Sequence, residues 1–491
     1  MVEITNVSFS YGEGDRLQGL RDLSLNIKDG ECVLLCGESG CGKTTVTRLI
    51  NGLIPHFYEG QFSGKVISAG KDTALAGAAG LSQAVGSVFQ NPRSQFFNLD
   101  TTSEIAFGCE NNGLPPGEIR ERVDKTVAAL GIEALVDRDI FALSGGEKQL
   151  VALASVYALG PDIFVLDEPS SNLDAASCRD LAAQLFALKE AGKTIVIAEH
   201  RLYYLAGLFD RVVYLKDGMI SHEWGAEEFA ALSEEQRSSL GLRSLSLEGL
   251  LPPEHSPAPV PPELRVSRLE AAYRGGGRKN SVLKGISFEA APGEIIGIIG
   301  KNGAGKSSLA GVLCGLRRES AGEIRLGGKS LPPARRAGQF YLVMQESSYQ
   351  LFTDSVEHEL YLSKDRKSRP PETKVEAVME SLGLAPFRER HPMSLSGGQK
   401  QRTAIGTAMA HEAAVLVFDE PSSGLDYRNM RRVASVMEEL RRQGRIVFII
   451  THDYELLLAA CSRVMILEDG RITGDMDLRA DSLALVRSLW K

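Results

Sequence analysis

Two copies of one glycine-rich segment constrain the fold of this chain more than any other feature. GESGCGKTT (residues 37–45) and GKNGAGKSS (residues 300–308) each follow a short apolar run and lead into a helix-forming stretch. Strand, glycine loop and helix in that order, with the spacing G-x-x-x-x-G-K-S/T, are typical of a phosphate-binding loop. Its backbone N–H groups face a phosphate at a helix N-terminus, whose dipole favours anions. The sequence therefore predicts a tandem repeat of two nucleotide-binding domains.

The side chains of these loops have predicted roles. Lys43 and Lys306 would contact the β- and γ-phosphates, and the hydroxyls of Thr44 and Ser307 would ligate Mg²⁺. The thiol of Cys41 lies near a helix N-terminus and Lys43, so we expect it to react readily; the alternative is a buried, inert thiol. The predicted nucleotide-contacting residues are Gly37, Glu38, Ser39, Gly40, Cys41, Gly42, Lys43, Thr44 and Thr45, and Gly300, Lys301, Asn302, Gly303, Ala304, Gly305, Lys306, Ser307 and Ser308.

Acidic pairs and histidines also recur at one spacing. Apolar runs end in Asp167-Glu168 and Asp419-Glu420, and later apolar runs lead to His200 and His452; 419 − 167 and 452 − 200 both equal 252. The aspartates are predicted to bind Mg²⁺ at strand ends, the glutamates to polarise the attacking water, and the histidines to sense the γ-phosphate. Taken singly, an acidic pair is also typical of a helix N-cap, and a histidine after an apolar run is also typical of a residue packed in the core. The repetition favours catalysis.

Two further pairs of residues are weaker candidates. Gln90 and Gln345 each follow a short apolar run, and each would touch Mg²⁺ or the attacking water. Tyr11 and Tyr273 end the first predicted strand of each copy, where an aromatic face would stack on adenine. Ordinary strand-end tyrosines remain the alternative.

Apolar strands alternate with helical patterns along both copies, which predicts an α/β fold with a mostly parallel sheet and chemistry at the carboxyl ends of its strands. Residues 60–84 are rich in Gly, Ala and Ser and are expected to be irregular. The six prolines of 252–262 predict an extended polyproline II linker. We therefore predict a first domain over 1–230, a linker over 231–263 and a second domain over 264–491.

Composition limits where the chain works. The net charge of −8 argues against nucleic-acid binding, and no apolar run approaches the ~20 residues that span a bilayer. The start, MVEITNVSFSY, lacks the pattern of a signal peptide, and seven scattered cysteines fit reduced thiols. We expect a soluble cytosolic chain that meets a membrane only through partners.

Taken together, the motifs resemble the nucleotide-binding subunits of ATP-binding-cassette (ABC) transporters. They comprise the two loops, LSGGEKQ (143–149), LSGGQKQ (395–401), FVLDE, LVFDE, SNLD, SGLD and the two histidines. The resemblance implies two P-loop ATPase domains, each with a mostly parallel sheet core, an antiparallel β subdomain and a helical subdomain. It also implies an intramolecular pseudo-dimer, in which each ATP lies between one loop and the LSGG of the other copy.

The implied composite sites differ in detail. The first loop would meet Ser396, Gly397, Gly398 and Gln399, and the second would meet Ser144, Gly145, Gly146 and Glu147. The first copy departs from the second at Glu147 (for Gln399), Leu150 (for Arg402) and Glu199 (for Thr451). We therefore expect unequal turnover at the two sites.

Four short segments resemble the energy-coupling factor (ECF) importers: QNPRSQFF (90–97), TTSEIAFG (101–108), QESSYQLF (345–352) and DSVEHELY (354–361). This implies ATP and Mg²⁺ as cofactors, and uptake of a vitamin or metal ion with a transmembrane coupling protein and a membrane substrate-binding subunit. One alternative is a tandem-cassette translation factor acting on ribosomes, in which a long charged helical hairpin joins the domains. The others are ATPases of other ABC importers, including sugar importers, or of exporters.

Overall fold

The structure is a computed structural model that describes residues 1–12, 19–171, 173–253, 260–275, 278–362 and 369–490. Two compact units divide the chain, Met1–Ser246 and Leu247–Lys491. The first unit thus continues beyond residue 230, because Phe229 and Leu242 are buried in its core. Asn172 of the SNLD motif and residues 254–259 of the predicted linker lie outside the described residues.

The first unit combines two sheets with helices. Its strands are β1 (Val2–Tyr11), β2 (Gly19–Ile27), β3 (Cys32–Gly37), β4 (Gly60–Ser68), β5 (Lys71–Asp72), β6 (Val85–Val88), β7 (Ile163–Asp167), β8 (Thr194–Ala198), β9 (Arg211–Lys216) and β10 (Met219–Gly225). Its helices are α1 (Lys43–Ile50), α2 (Leu53–His56), α3 (Thr73–Leu81), α4 (Thr101–Asn111), α5 (Pro116–Leu130), α6 (Gly145–Leu159), α7 (Ala175–Glu190), α8 (Ala226–Ala231) and α9 (Glu234–Ser239).

The central sheet of this unit has the order β10-β9-β3-β8-β7-β6 and is parallel except for β10. Strand β3 is buried on both faces: Val33 and Leu35 pack into the core shared with β1 and β2, whereas Leu34 packs against α7. Because parallel strands end at the same edge, β3, β7 and β8 deliver their following residues to one place. The α/β class and the mostly parallel sheet are confirmed.

The second sheet is antiparallel, with the order β2-β1-β4-β5. It corrects the expectation that residues 60–84 are irregular, because β4 and α3 lie within them. Strand β4 is largely exposed and is held by pairing with β1, from Val2↔Ser68 to Tyr11↔Gly60. Its structure therefore depends on a distant segment and not on its own composition.

A third layer is helical. Helices α4, α5 and α6 share a separate apolar core that includes Ile105, Val127 and Val151. Helix α5 ends at Leu130 and is followed by Gly131, which has a positive φ of 64°. This layer carries the LSGG segment at the start of α6.

The second unit repeats this plan. Its strands are β11 (Leu264–Gly275), β12 (Arg278–Ala290), β13 (Ile295–Ile299), β14 (Ala321–Leu326), β15 (Lys329–Ser330), β16 (Phe340–Val343), β17 (Val415–Asp419), β18 (Ile446–Ile450), β19 (Arg463–Glu468) and β20 (Arg471–Asp477). Its helices are α10 (Lys306–Leu313), α11 (Pro333–Arg336), α12 (Val356–Tyr361), α13 (Glu372–Ser381), α14 (Gly397–Ala410), α15 (Tyr427–Arg442), α16 (Tyr454–Ala460) and α17 (Leu483–Ser488). The sheet orders are β12-β11-β14-β15 and β16-β17-β18-β13-β19-β20, so both copies have the same topology.

Candidate active sites

The glycine loop of the first unit joins β3 to α1 and folds around the side chain of Lys43. The Lys43 Nζ donates to the carbonyl oxygens of Gly37 (3.1 Å) and Glu38 (3.2 Å). Gly37 has a φ of 140°, and a Cβ there would lie 2.2 Å from the carbonyl oxygen of Leu215, so a larger residue does not fit. The remaining predicted contact residues of this loop lie on the same turn, at the N-terminus of α1.

The loop of the second unit joins β13 to α10 in the same way. The Lys306 Nζ donates to the carbonyl oxygens of Gly300 (2.7 Å) and Lys301 (3.0 Å). A Cβ on Gly300, which has a φ of 150°, would lie 2.1 Å from the carbonyl oxygen of Leu467. In both units the lysine therefore points into its loop, where the phosphates of a nucleotide would supply further acceptors.

Cys41 lies within the first loop and is only 5 % exposed. Its matching residue in the second loop, Ala304, is 6 % exposed. The burial of this thiol favours the alternative of an inert packing residue over the predicted reactive cysteine.

A carboxylate and a hydroxyl lie together beside each loop. The Thr44 Oγ1 donates to the Asp167 Oδ1 at 3.1 Å, and the pKa of Asp167 is raised to about 7 by burial and by the neighbouring Glu168. Burial also raises the pKa of Asp419, against the opposing hydrogen bond of the Ser307 hydroxyl. An enclosed carboxylate beside a hydroxyl fits Mg²⁺, which binds through one or two carboxylates, water and substrate phosphates. These four residues would hold the ion.

Glu168 and Glu420 follow the aspartates in a strained backbone conformation. Their φ values are 45° and 51°, which non-glycine residues rarely adopt. Each backbone N–H is held by a carbonyl oxygen at the end of the neighbouring strand, Glu168 by Ala198 (2.8 Å) and Glu420 by Ile450 (2.9 Å). This conformation aims both side chains toward the histidines at the ends of β8 and β18.

Gln90 and His200 meet Glu168 in the first unit. The Gln90 Nε2 donates to the Glu168 Oε2 at 2.7 Å, and the His200 Nε2 lies 3.4 Å from the Glu168 Oε1. Burial alone would raise the pKa of Glu168, but the hydrogen bond and charge of His200, with Lys43 and Gln90, lower it below its ordinary value. Glu168 is therefore ionised at neutral pH, as a residue that orients an attacking water must be.

His200 also links Glu168 to the loop lysine. Its Nε2 lies 3.2 Å from the Lys43 Nζ, so one imidazole nitrogen faces both an ammonium and a carboxylate. In the second unit the His452 Nε2 lies 3.5 Å from the Glu420 Oε1, and the His452 backbone N–H donates to the Glu420 Oε2 at 3.2 Å. Gln345 follows β16 as Gln90 follows β6, and both side chains are exposed.

Tyr11 lies beside the first loop, and adenine stacking by either tyrosine stays a prediction. The Tyr11 hydroxyl accepts from the Arg48 Nη1 at 3.0 Å and lies 3.1 Å from the Thr45 Oγ1. The Arg317 guanidinium covers the ring of Tyr273, 4.6 Å from its centroid.

The LSGG segments begin α6 and α14 with the same capping box. The Ser144 N–H donates to the Glu147 Oε2 (2.7 Å) and the Glu147 N–H to the Ser144 Oγ (3.3 Å). Ser396 and Gln399 make the same pair of bonds, at 3.0 and 3.4 Å. Glu147 and Gln399 therefore perform one structural task despite their different charge. Arg138 lies near Glu147, with its Nη1 3.7 Å from the Oε1.

Sequence reasoning noticed Glu199 but missed its role. The Glu199 carboxylate is buried and accepts from the backbone N–H groups of His200 (2.7 Å) and Ser170 (3.3 Å) and from the Tyr204 hydroxyl (2.8 Å). It thus ties the segment after β8 to the turn after β7. The backbone N–H of Arg201 also donates to it, at 3.1 Å.

In the second unit another residue supplies this carboxylate. The Asp453 Oδ2 accepts from the Ser422 hydroxyl at 2.7 Å, and the Thr451 Oγ1 accepts from the Asp453 N–H at 3.0 Å. Asp453 matches Arg201 and Ser422 matches Ser170, because 453 − 201 and 422 − 170 both equal 252. The acid therefore moves from one side of the histidine to the other, which an alignment of the two copies at this offset would have revealed.

Sequence reasoning also missed a second pair of buried acids, Glu104 and Glu359. The Glu104 Oε2 accepts from the backbone N–H groups of Phe97 (3.0 Å) and Asn98 (2.8 Å), and the Glu359 Oε2 from those of Phe352 and Thr353 (both 2.9 Å). Each acid lies 14 residues after Gln90 or Gln345, since 104 − 90 and 359 − 345 both equal 14. That repeated spacing was the available signal.

Comparison with known proteins agrees with this geometry. The profile of the family described as "ABC transporter" matches residues 20–171 and 283–423, and an "AAA domain, putative AbiEii toxin" profile matches residues 389–459. A Treponema denticola protein named "Putative ABC transporter ATP-binding protein" is 47 % identical over 484 residues, which cover 97 % of each chain.

The chain belongs to the family of ABC transporter ATP-binding proteins. It is an ATPase with two ATP-binding-cassette domains in tandem.

One member of this ABC family carries a more specific name. The Bacillus subtilis protein named "Putative HMP/thiamine import ATP-binding protein YkoD" is 32 % identical over 504 residues, covering 97 % of this chain and 91 % of its own length. Among solved structures, "Model of ribosome-bound archaeal Pelota and ABCE1" matches with a TM-score of 0.70 and 23 % identity, covering 99 % of this chain and 80 % of that one. "RNase-L Inhibitor" matches with a TM-score of 0.64 and 22 % identity, covering 99 % and 93 %. Identities this low show the tandem fold alone.

Among the helices of the described residues, none is long and apolar enough to cross a membrane.

Proposed function

We propose that this ABC ATPase is the energy-coupling subunit of an ECF-type importer for a vitamin, a metal ion or a related micronutrient. It would act as a translocase at the cytoplasmic face of the membrane, together with a transmembrane coupling protein and a membrane substrate-binding subunit. The full-length similarity to a relative named for HMP/thiamine import supports this proposal. So does the presence of the ECF-like segments in both copies.

The observation that carries the proposal is an exposed apolar surface on each unit. In the first unit Phe97 and Leu99 are each 73 % exposed and Phe141 is 75 % exposed. The Ile140 N–H donates to the Leu99 carbonyl oxygen at 2.9 Å, so these residues share one surface, which we call the first apolar patch. Exposed apolar side chains grouped in this way mark a surface that binds another protein.

The second unit presents a matching surface. Phe352 is 76 % exposed and Met393 51 % exposed, and together they form the second apolar patch. The Val356 N–H donates to the Arg390 carbonyl oxygen at 3.1 Å, which brings the segment after Phe352 beside the segment that carries Met393. An importer with two coupling contacts would need such a surface on both copies.

Each patch lies close along the chain to the candidate glutamine of its own unit. Phe97 and Phe352 lie seven residues after Gln90 and Gln345, since 97 − 90 and 352 − 345 both equal 7. The buried Glu104 and Glu359 hold the backbone of these loops, and Gln90 bonds the catalytic Glu168 at 2.7 Å. An amphipathic helix of a membrane protein docked on the patch would thus press on the segment that contacts the catalytic carboxylate.

We further propose that Mg²⁺-ATP binds at two composite sites formed by head-to-tail pairing of the domains. Each would combine one phosphate loop with the LSGG segment of the other copy. The positive end of α6 or α14 would then supply a second anion cradle for the nucleotide.

The test is affinity purification of the tagged full chain from its own cells in mild detergent, followed by mass spectrometry. We expect two membrane proteins to co-purify, and the Phe97→Ser/Phe352→Ser variant to recover at least tenfold less of them. Leu75→Ser is the matched control, because Leu75 is 87 % exposed on α3. Co-purification of ribosomal subunits without membrane proteins would reject the importer and support the translation factor.

A further inference from the structure

A cavity of about 740 Å³ lies between α13 and α15 of the second unit. Its floor is apolar and consists of Val378, Met409 and Val436, all of them buried. Cavities of roughly 300–1,000 Å³ with an apolar floor and a few polar groups are typical of small-molecule sites. This cavity is separate from the phosphate loop and the catalytic residues.

The rim of the cavity is strongly basic. Arg428, Arg431 and Arg432 line one end, and Lys374 lies on the opposing helix. Burial and the nearby Arg445 lower the pKa of Lys374, so an anion beside it would be stabilising. Glu439 is the carboxylate that lines the cavity, and it already accepts from the Gln443 Nε2 at 3.1 Å.

A buried arginine increases the positive charge behind this rim. The Arg402 Nη1 donates to the Asn429 Oδ1 at 2.9 Å, and the Arg432 Nη1 contacts the same oxygen at 3.4 Å. Burial and the charge of Arg432 lower the pKa of Arg402, which shows that the two cations repel each other. The nearby Asp426 carboxylate, which accepts from the Asn429 Nδ2 at 2.9 Å, offsets part of this positive charge.

The first unit is built differently at the matching positions, each 252 residues earlier. Gln184 replaces Val436, is buried, and donates from its Nε2 to the Leu130 carbonyl oxygen at 3.2 Å. It thus bridges α7 and α5, where the second unit is open. Only two of the four basic rim residues have basic counterparts: Arg179 stands for Arg431 and Arg122 for Lys374, whereas Ala176 stands for Arg428 and Asp180 for Arg432.

We propose that the cavity of the second unit binds a small amphipathic organic anion, with an aromatic body on the apolar floor and its anionic group at the arginines. The floor comprises three apolar side chains, which suits a ring system better than the longer apolar stripe of a bound helix. The ligand would lie against α14 and α15, which begin directly after Ser396 and Asp426 of the LSGG and SGLD motifs. Its binding therefore changes the rate of ATP hydrolysis.

The binding test uses two fluorescent probes on the full chain saturated with Mg-ADP. The anionic probe is 1-anilinonaphthalene-8-sulfonate, and the neutral one is N-phenyl-1-naphthylamine. We expect Arg431→Glu to weaken the anionic probe at least tenfold and the neutral probe less than twofold. Arg179→Glu, the matched change in the first unit, leaves both affinities unchanged.

A second pair of variants tests the floor. Val436→Gln introduces the residue of the first unit, and Ala377→Phe, at an exposed cavity position, serves if Val436→Gln does not fold. Either should abolish binding of both probes. The ATPase rate of the wild-type chain should change at least twofold at saturating anionic probe, and that of Arg431→Glu should not.

Three results would overturn the proposal. Equal affinity of the wild-type chain and Arg431→Glu for the anionic probe excludes the arginine end as its site. An ATPase rate that does not respond to the probe excludes the regulatory role. Displacement of the probe by a decaglutamate peptide at micromolar concentration would instead assign the cavity to an acidic protein segment.

Discussion

The two units hold the same histidine with different supports. In the first, the buried Glu199 precedes His200 and binds the turn after β7 through the Ser170 N–H. In the second, Asp453 follows His452 and binds the matching turn through the Ser422 hydroxyl. The fold therefore requires a buried acceptor at this place but leaves open which side of the histidine provides it.

The predicted catalytic glutamates and histidines, in contrast, are arranged alike in the two units. The histidine Nε2 lies 3.4 Å from Glu168 in the first unit and 3.5 Å from Glu420 in the second, and both glutamates have the same unusual backbone conformation. We therefore expect a difference in turnover between the copies to come mainly from the supporting residues and, under the proposed pairing, from the LSGG segments. Substitutions of the glutamates and of the supporting residues distinguish these two contributions.

Replacing both glutamates that are predicted to polarise the attacking water should have the largest effect. Glu168→Gln/Glu420→Gln is expected to lower ATP hydrolysis by at least about 100-fold, because the amide keeps the shape but cannot polarise water. ATP binding, measured by equilibrium dialysis, should persist. Glu227→Gln, on the exposed face of α8, is the control.

The single variants then compare the units. Unequal losses from Glu168→Gln and Glu420→Gln would locate the expected asymmetry, and identical losses would show that the supporting differences have no consequence for turnover. A double variant with near-native turnover would show that neither glutamate is needed for ATP hydrolysis.

Replacing the support of His200 should destabilise the first unit. Glu199→Thr leaves several buried donors without their acceptor, which is expected to lower the free energy of unfolding of that unit by about 3 kcal/mol. Adding Arg201→Asp imports the arrangement of the second unit and should recover part of the loss. Recovery is partial because the Arg201 Nη1 also donates to the Leu173 carbonyl oxygen at 3.1 Å.

The measurement is urea unfolding of the full chain, with ATPase activity followed in parallel. A double variant that is no more stable than Glu199→Thr would contradict the interchangeability of the two supports.

Asp167 should make the stability of the first unit depend on pH in the absence of Mg²⁺. Its folded pKa is about 7, whereas an unfolded aspartate titrates near ~3.9. The unfolded chain thus loses this proton first, and the contribution of Asp167 to stability falls as pH rises from about 4 to about 7. Asp167→Asn should remove this slope and stabilise the chain at pH 7.5 by about 1–2 kcal/mol.

Glu168 acts in the opposite sense, because its lowered pKa stabilises the folded state above the unfolded value and that stability is lost on acidification. The measurement is urea unfolding in EDTA at several pH values. Comparing wild type with Asp167→Asn isolates the contribution of Asp167 to the pH dependence of the free energy of unfolding. Asp419→Asn should act in the same direction on the second unit. Equal slopes in wild type and Asp167→Asn would disprove the raised pKa.

Glu147→Gln should have the smallest effect. Gln399 shows that an amide completes the same capping box, and the exposed contact with Arg138 is weak. We expect a change in unfolding free energy within about 0.5 kcal/mol. Under the proposed pairing, ATP affinity at the second loop would rise about twofold, since a carboxylate near phosphate is lost. A loss of more than about 1 kcal/mol would mean that Glu147 does more than cap α6.

Local patterns predicted much of this molecule from sequence. The loops, the apolar strands and the acidic pairs are short segments whose spacing alone specifies their geometry. The loops recur at an offset of 263 and the acidic pairs and histidines at an offset of 252, and this duplication distinguished function from chance. Strand β4 was missed because its order comes from pairing with β1. The role of Glu199 was missed because it depends on Ser170 and Tyr204, which only the folded chain brings near.

The buried acid beside the histidine also restricts how the two copies can diverge. Exchanging one arrangement for the other by single changes requires an intermediate with both acids or with neither. Both acids would bury two like charges at one turn, and neither would leave backbone donors without an acceptor. Single-residue scans will therefore find position 199 and position 453 intolerant, although the arrangements are interchangeable as sets. Only paired substitutions can therefore exchange the arrangement of one copy for that of the other.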